Sequence, residues 1–448
     1  MDRRPGICDQ IPHPKQEVGV PPASASVVSR DSTPIVACHE CGTVHRVHSL
    51  RPGAGANCAT CGSVLYSRHR GGLDRVLALY LAAAILFVLA NAFPFMSLNI
   101  EGRVQQTELF SSALALWHAG MRFLAIVVMA FAVALPAVKI ASALWVLVPL
   151  HLGRRPWLAA HSIRLFDRLR PWAMMEVYLL GVMVAYVKLL DLAHIQLGPS
   201  MWAFVALIVA MVAADAALDD QDVWNRVAPQ ATTALLPPPP GTQLAGCHDC
   251  GQVAAIRPGD HHARCGRCGS ALHKRKPDSV ARTSALVLTA AILYVPANVF
   301  PVMTVIYFGR GAPDTIISGV IELLHGGMWP LALLVFCASI MVPVLKLIGL
   351  SCLLISIRRG SVARLRDRTL LYRIIEQVGR WSMIDVFMIG ILTALVNLGS
   401  IATIEPGIGA VCFAGVVIVT MIASMSFDPR LMWDVRDDKL GRPAVLRA

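Results

Sequence analysis

The chain is written twice, and each copy opens with four cysteines before running into membrane-like sequence. Cys38-His39-Glu40-Cys41-Gly42 begins the first copy and Cys247-His248-Asp249-Cys250-Gly251 the second. Each is closed by a second pair, Cys58 with Cys61 and Cys265 with Cys268. The copies stay in step through the apolar part that follows. Asn91-Ala92-Phe93-Pro94 answers Asn298-Val299-Phe300-Pro301, and His118 answers His325. Pro136 and Lys139 answer Pro343 and Lys346, and Trp172 with Glu176 answers Trp381 with Asp385. A duplicated unit that binds metal and enters a membrane is what this pattern demands.

Two Cys-x-x-Cys turns, sixteen residues apart in the first copy and fourteen in the second, have zinc-ribbon spacing. Thiolates from two tight turns make a closed tetrahedral shell, and Gly42, Gly62, Gly251 and Gly269 suit the turns. The metal ligands are thus Cys38, Cys41, Cys58, Cys61, Cys247, Cys250, Cys265 and Cys268, holding two zinc ions per chain. Iron in a rubredoxin-like shell uses the same ligands. A thioredoxin-like redox pair lacks its usual βαβ surroundings. His39, His248, His261 and His262 read as solvated neighbours.

Mean hydropathy is +0.60. Hydrophobic residues make up 56% of the chain and charged residues only 15%, a composition for a bilayer rather than for water. The net charge of +12 is concentrated between the apolar runs, so membrane topology accounts for it and no nucleic-acid partner is needed. Eight runs are long enough to span. They lie at roughly Arg75–Leu98, Met121–Leu150, Ala173–Leu192, Met201–Leu218, Ser284–Tyr307, Met328–Ile357, Ser382–Ile404 and Gly407–Phe427. Arginines crowd the connection between the second and third run of each copy, from Arg154 to Arg170 and from Arg358 to Arg380. The positive-inside rule places those connections, both ribbons and both termini in the cytoplasm. Four spans per copy make the repeat parallel.

The expected organisation is a disordered tail at 1–35, a ribbon at 36–70, a four-helix module at 71–221 and a linker at 222–245 with a stiff proline run. A second ribbon at 246–276, a second module at 277–430 and a cytoplasmic tail at 431–448 follow. Outside the membrane, Leu109 to Trp117 and Ile316 to Leu324 read as short amphipathic interfacial helices or as plain packed loop helices.

Charged groups inside the spans are the candidates for function. Lys139 and Glu176, and likewise Lys346 and Asp385, fall in the cytoplasmic half of the bilayer on the second and third helices. They read either as structural ion pairs across those helices or as a polar site for a lipid headgroup or a proton. Pro136 and Pro343 free a carbonyl one turn earlier and could help open such a site. Asn91 with Pro94 and Asn298 with Pro301 read as helix kinks in which the Asn covers an exposed backbone group. His118 and His325, at the outer mouth, read as interfacial histidines, with a metal or proton role as the alternative. Lys188 and Asp215 have no charged counterpart; Lys188 is expected to snorkel. Phosphate loops and hydrolase motifs are missing, so no enzyme is expected.

The paired cysteines, the two Asn-x-Phe-Pro and Pro-x-x-Lys repeats, the two His-x-Gly-Met repeats and Trp172 and Trp381 together resemble the paraquat-inducible protein A (PqiA and LetA) family of bacterial inner-membrane proteins, from about Val36 to Trp433. The resemblance implies an all-α polytopic membrane protein. Its unit is a small four-cysteine zinc ribbon plus a four-helix, tetraspanin-like transmembrane module, repeated in parallel to give eight transmembrane helices. It also implies a role in intermembrane lipid transport, passing membrane lipids to or from a tunnel formed by a periplasmic MCE-domain protein; the bilayer carboxylates themselves add coupling to protons as an expectation. The rivals are a zinc-binding scaffold that anchors the MCE partner without transporting, and a membrane thiol oxidoreductase.

Overall fold

The computed structural model describes residues 35–439, except 47–49, 52, 68–71, 101–102, 155, 191–193, 230–239, 261, 308–309 and 397–401. The expected tail, most of the proline run and His261 lie outside these residues.

The chain is mostly helical. Among the described residues, seven helices are long and apolar enough to cross a membrane: Leu73–Ala92, Arg122–His151, Pro199–Ala217, Ser279–Val299, Trp329–Arg358, Leu365–Leu395 and Ile408–Ser426. The third helix of the first half, Met175–Leu190, has 16 residues and falls short of that length. Its counterpart is longer because a 3₁₀ turn at Gly379–Met383 joins Leu365–Val378 to Ile384–Leu395.

The expectation of an all-α chain needs correcting at the outer end. Proline has no N–H and pushes its predecessor out of the α region. Phe93 and Phe300 are accordingly extended, and the first helix of each half ends at Ala92 and Val299. The sequence reading carried these helices on through what are strands. Met96–Ile100 pairs antiparallel with Arg103–Thr107 on one side and His194–Leu197 on the other. Met303–Tyr307 does the same with Arg310–Asp314 and Ala402–Pro406. Each sheet ties the outer end of the first helix to the segment between the third and fourth. Gly198 and Gly407 lie directly against the carbonyls of Pro94 and Pro301, where any side chain would collide. The Asn-x-Phe-Pro repeats are therefore helix ends rather than kinks. Asn91 Nδ2 donates to the Phe87 carbonyl at 2.8 Å and Asn298 Nδ2 to the Tyr294 carbonyl at 2.9 Å, each folding back four residues onto its own helix.

The second helix of each half widens into a π turn, Ala130–Ala134 and Cys337–Met341, just before Pro136 and Pro343. The wide turn absorbs the hydrogen bond that each proline cannot donate. The short outer helices Ser111–His118 and Ile316–His325 are present. Both bury one apolar face and expose another, Leu114 and Trp117 on the first and Ile317, Ile321 and Leu324 on the second.

The halves meet through their third helices. Every residue of Ile384–Leu395 is buried. A Cβ on Gly181 would stand 2.9 Å from the Phe387 Cβ, and the Tyr178 and Phe387 rings are 5.3 Å apart. The ribbons are exchanged between the halves. The first ribbon's cysteines share an apolar cluster with Leu350, Leu353, Tyr372 and Trp433 of the second half. Arg366 of that half donates to the carbonyls of Thr60 at 3.0 Å and Ala59 at 3.3 Å. The second ribbon's cysteines cluster with Val76, Tyr80, Phe166 and Trp224 of the first half. Trp224 belongs to Asp220–Val227, a short helix at the start of the expected linker. Arg267 donates to Ala228 and Asn225, each at 2.7 Å. The expected C-terminal tail likewise begins as a helix, Arg430–Lys439.

Candidate functional site

Both cysteine quartets are assembled as the spacing predicts. Cys38, Cys41, Cys58 and Cys61 form one group and Cys247, Cys250, Cys265 and Cys268 the other, all buried, with sulfurs within 4.8 Å of one another. The pairs Cys38–Cys61, Cys41–Cys58, Cys247–Cys268 and Cys250–Cys265 each stand 3.5 Å apart. A tetrahedron with metal–sulfur bonds of about 2.3 Å has edges of about 3.8 Å, so the donor set fits a four-thiolate metal shell. Gly42, Gly62, Gly251 and Gly269 all take the positive φ that the turns require. His45 Nε2 lies 3.3 Å from Cys58 Sγ as an outer-shell partner. His39 and His248 are both exposed, as solvated neighbours would be, and they meet edge to face at 5.9 Å between the ribbons.

The membrane-level polar groups are arranged differently from the expected pairs. Lys139, 3% exposed, is bonded at 2.6 Å to Asp215 of the fourth helix, whose side chain is 28% exposed. The other Asp215 oxygen accepts from the Tyr80 hydroxyl at 2.6 Å. Glu176, in the first turn of its helix, points outward and makes no ion pair with Lys139. Both nevertheless border one 370 Å³ cavity, together with Asp167, Arg170, Met211 and Asp215. Arg170 is held by Asp220 at 3.0 Å and by the Asp215 carbonyl at 3.4 Å. The Phe166 ring lies between the two cations, 5.8 Å from Lys139 Nζ and 5.4 Å from the Arg170 guanidinium carbon. Burial, and then the neighbouring Asp220, push Asp167 up to about 7, with Arg170 opposing.

The second half lacks this ion pair, because Ser424 stands where the repeat places Asp215. Lys346 donates instead to Thr420 Oγ1 at 2.9 Å and to the Gly379 carbonyl at 3.2 Å. Asp385 is 3% exposed, and neither of its oxygens has a hydrogen-bond partner. Ser339 Oγ, on the π turn, is also buried and unpaired. The expected Lys346–Asp385 pair is thus replaced by two separately buried groups. Lys188 Nζ reaches the second half, 3.5 Å from the Cβ position of Gly319 on the short helix Ile316–His325. His118 and His325 are exposed, and among the described residues neither belongs to a group that could hold a metal.

Sequence reasoning missed Tyr80 and Arg170 and left Asp215 unassigned. The usable signal was the mismatch itself, an Asp in the last turn of an apolar helix facing a Ser in the other copy.

Seven membrane-length helices and two buried four-sulfur groups define a multi-pass membrane protein with two candidate metal centres. The chain belongs to the family described as Paraquat-inducible protein A, whose profile matches it twice, at residues 73–228 and 280–437. It is 35% identical over 402 residues to "Intermembrane transport protein PqiA" of Escherichia coli (strain K12), covering 89% of this chain and 95% of that protein. It is 29% identical to "Lipophilic envelope-spanning tunnel protein A" of the same organism, over 89% of this chain and 91% of that protein. It is 28% identical to "Probable intermembrane transport protein" of Haemophilus influenzae, over 90% of this chain and 96% of that protein. No solved structure matches the chain.

Proposed function

We propose that the chain is the inner-membrane component of an intermembrane lipid transport system, passing lipid to or from a tunnel made by a periplasmic MCE-domain protein. The names of its relatives supply the class of activity. The observation that carries the reading to this chain is the 370 Å³ cavity. It sits at one end of the membrane helices, the end this reading assigns to the cytoplasm, with charged groups inside, and its wall includes Val212, which is exposed on the face that would meet lipid. A cavity with a polar floor and an apolar side wall suits a headgroup drawn sideways from a leaflet. In this reading Met175–Leu190 and its flanks form an eighth span, each half is a tetraspanin-like module, and both termini are cytoplasmic. Zinc fills both sulfur shells, and Asp385 carries proton coupling.

The test is transfer of fluorescent phospholipid from proteoliposomes holding the full chain to its purified periplasmic partner. Combined Lys139→Ala and Asp215→Ala changes should cut transfer steeply while partner binding persists. Transfer at the unchanged rate would leave an anchoring scaffold as the function.

A further inference from the structure

The charges around the cavity are unevenly satisfied. Both cations are engaged, Lys139 by Asp215 and Arg170 by Asp220. Arg170 still has guanidinium N–H groups beyond the two it uses. Glu176 and Asp167, in contrast, border the cavity without a hydrogen bond of their own. The site therefore offers a compact cation two carboxylates and offers an anion one guanidinium edge. A volume of 370 Å³ falls within the small-molecule range of roughly 300–1,000 Å³.

Headgroup chemistries differ in how they meet this arrangement. An anionic glycerol headgroup would add negative charge where three carboxylates already face two cations. A trimethylammonium has no N–H to donate to a carboxylate. A primary ammonium carries three donors, and its adjoining phosphate reaches the guanidinium. Resting on the reading of the chain as a lipid transporter, we infer that this cavity selects phospholipids with a primary-ammonium, ethanolamine-type headgroup. Glu176 and Asp167 accept the ammonium N–H groups and Arg170 faces the phosphate. The selection belongs to the first half alone. In the second half the position of Asp215 is Ser424, and Asp385, at the position of Glu176, is sealed in the protein interior.

The full-length protein in phosphatidylcholine nanodiscs decides the matter. Photoactivatable phosphatidylethanolamine, phosphatidylcholine and phosphatidylglycerol, identical in their acyl chains, are compared by labelling of the wall formed by Ile208, Met211 and Val212. The ethanolamine lipid should label about tenfold more than either rival, the scale of one charge-assisted hydrogen bond. Glu176→Gln and Asp167→Asn, each made separately, should collapse that preference while phosphatidylcholine labelling persists. Equal labelling by all three lipids in the wild type overturns the headgroup selection and leaves lipid admission standing. No labelling of this wall by any lipid overturns both. Competition by soluble phosphoethanolamine as effective as that by the lipid shows that a free amine, not a lipid, is recognised.

Discussion

Replacing Asp215 with leucine should destabilise the protein more than replacing Lys139 with methionine, although both changes remove the same 2.6 Å contact. Without Asp215 the Lys139 ammonium is left at 3% exposure with no ion-pair partner of its own, the Phe166 ring 5.8 Å away. An uncompensated buried charge of this kind costs about 3–5 kcal/mol. Without Lys139 the carboxylate keeps the Tyr80 hydroxyl at 2.6 Å and some contact with solvent, its side chain being 28% exposed. Its loss should be about 1–2 kcal/mol, the range for one unmade hydrogen bond to a partly solvated charge. Lys139→Met combined with Asp215→Leu should recover to within about 1 kcal/mol of the wild type, the remainder being the Tyr80 hydroxyl left without its acceptor. Reversible unfolding in mixed detergent micelles gives all four corners of the cycle, with a coupling of at least about 3 kcal/mol expected between the sites. Equal single losses would refute the asymmetry of burial, and a double variant equal to the sum of the singles would refute the pairing. Lys346→Met offers the contrast. Its acceptors, Thr420 and the Gly379 carbonyl, are neutral, so the change should cost little or stabilise.

Three further outcomes are expected. Gly181→Val forces a side chain to within 2.9 Å of the Phe387 Cβ and 3.1 Å of the Ile384 carbonyl, and should cost about 1–3 kcal/mol by overpacking; an unchanged melting temperature would contradict the close contact between the halves. Metal analysis of purified protein should give about two zinc ions per chain, and Cys58→Ser should lower both zinc and the amount of protein in the membrane; a disulfide at either quartet would rule this out. Asp167, raised from 3.8 to about 7, binds its proton more tightly folded than unfolded, so its contribution is fullest below pH 3.8 and is lost as pH rises towards 7. Asp167→Asn should therefore raise the melting temperature at pH 8 and change it little at pH 4, and the same shift at both values would show that the carboxyl's titration is not involved.

What could be read from the chain was what proximity in sequence fixes. The cysteine quartets close over two short turns each, so their spacing alone specifies them. The long helices announce themselves by sustained hydropathy. The outer strands did not, because hydropathy cannot separate a helix end from the strand that continues it. Met96–Ile100 and Met303–Tyr307 lie only a few residues beyond the helices and are apolar enough to extend them. Pro94 and Pro301 marked the true boundary, and the backbone rule for residues before proline would have stopped the helices there. The exchange of ribbons between halves has no local signature. It depends on Arg366 reaching Thr60 and on Arg267 reaching Asn225, contacts between distant segments with no special spacing. The misassigned ion pairs have a different origin. They were sought between equivalent positions of the repeat, yet the actual partner of Lys139 is the residue that breaks the repeat.

That break has a consequence for how duplicated halves divide their work. The backbone is held in common: a strand after each proline, a π turn before each second-helix lysine, a short helix on each outer flank. Charge placement is not. The first half keeps its carboxylates beside an open cavity, where water and lipid can reach Glu176. The second half keeps Asp385 sealed in the packed centre, where neither of its oxygens has a well-formed hydrogen bond and Ser339 is the hydroxyl beside it. Groups left unsatisfied in so dry a place are costly, and packing alone would favour an apolar residue. A selective reason must therefore act on Asp385 that does not act on Glu176. In the proposed transport reading that reason is coupling to protons in the second half, while the first half receives the headgroup. The third helices that hold these two carboxylates are packed on each other at Gly181 and Phe387, so a change of state at one is placed to be felt at the other.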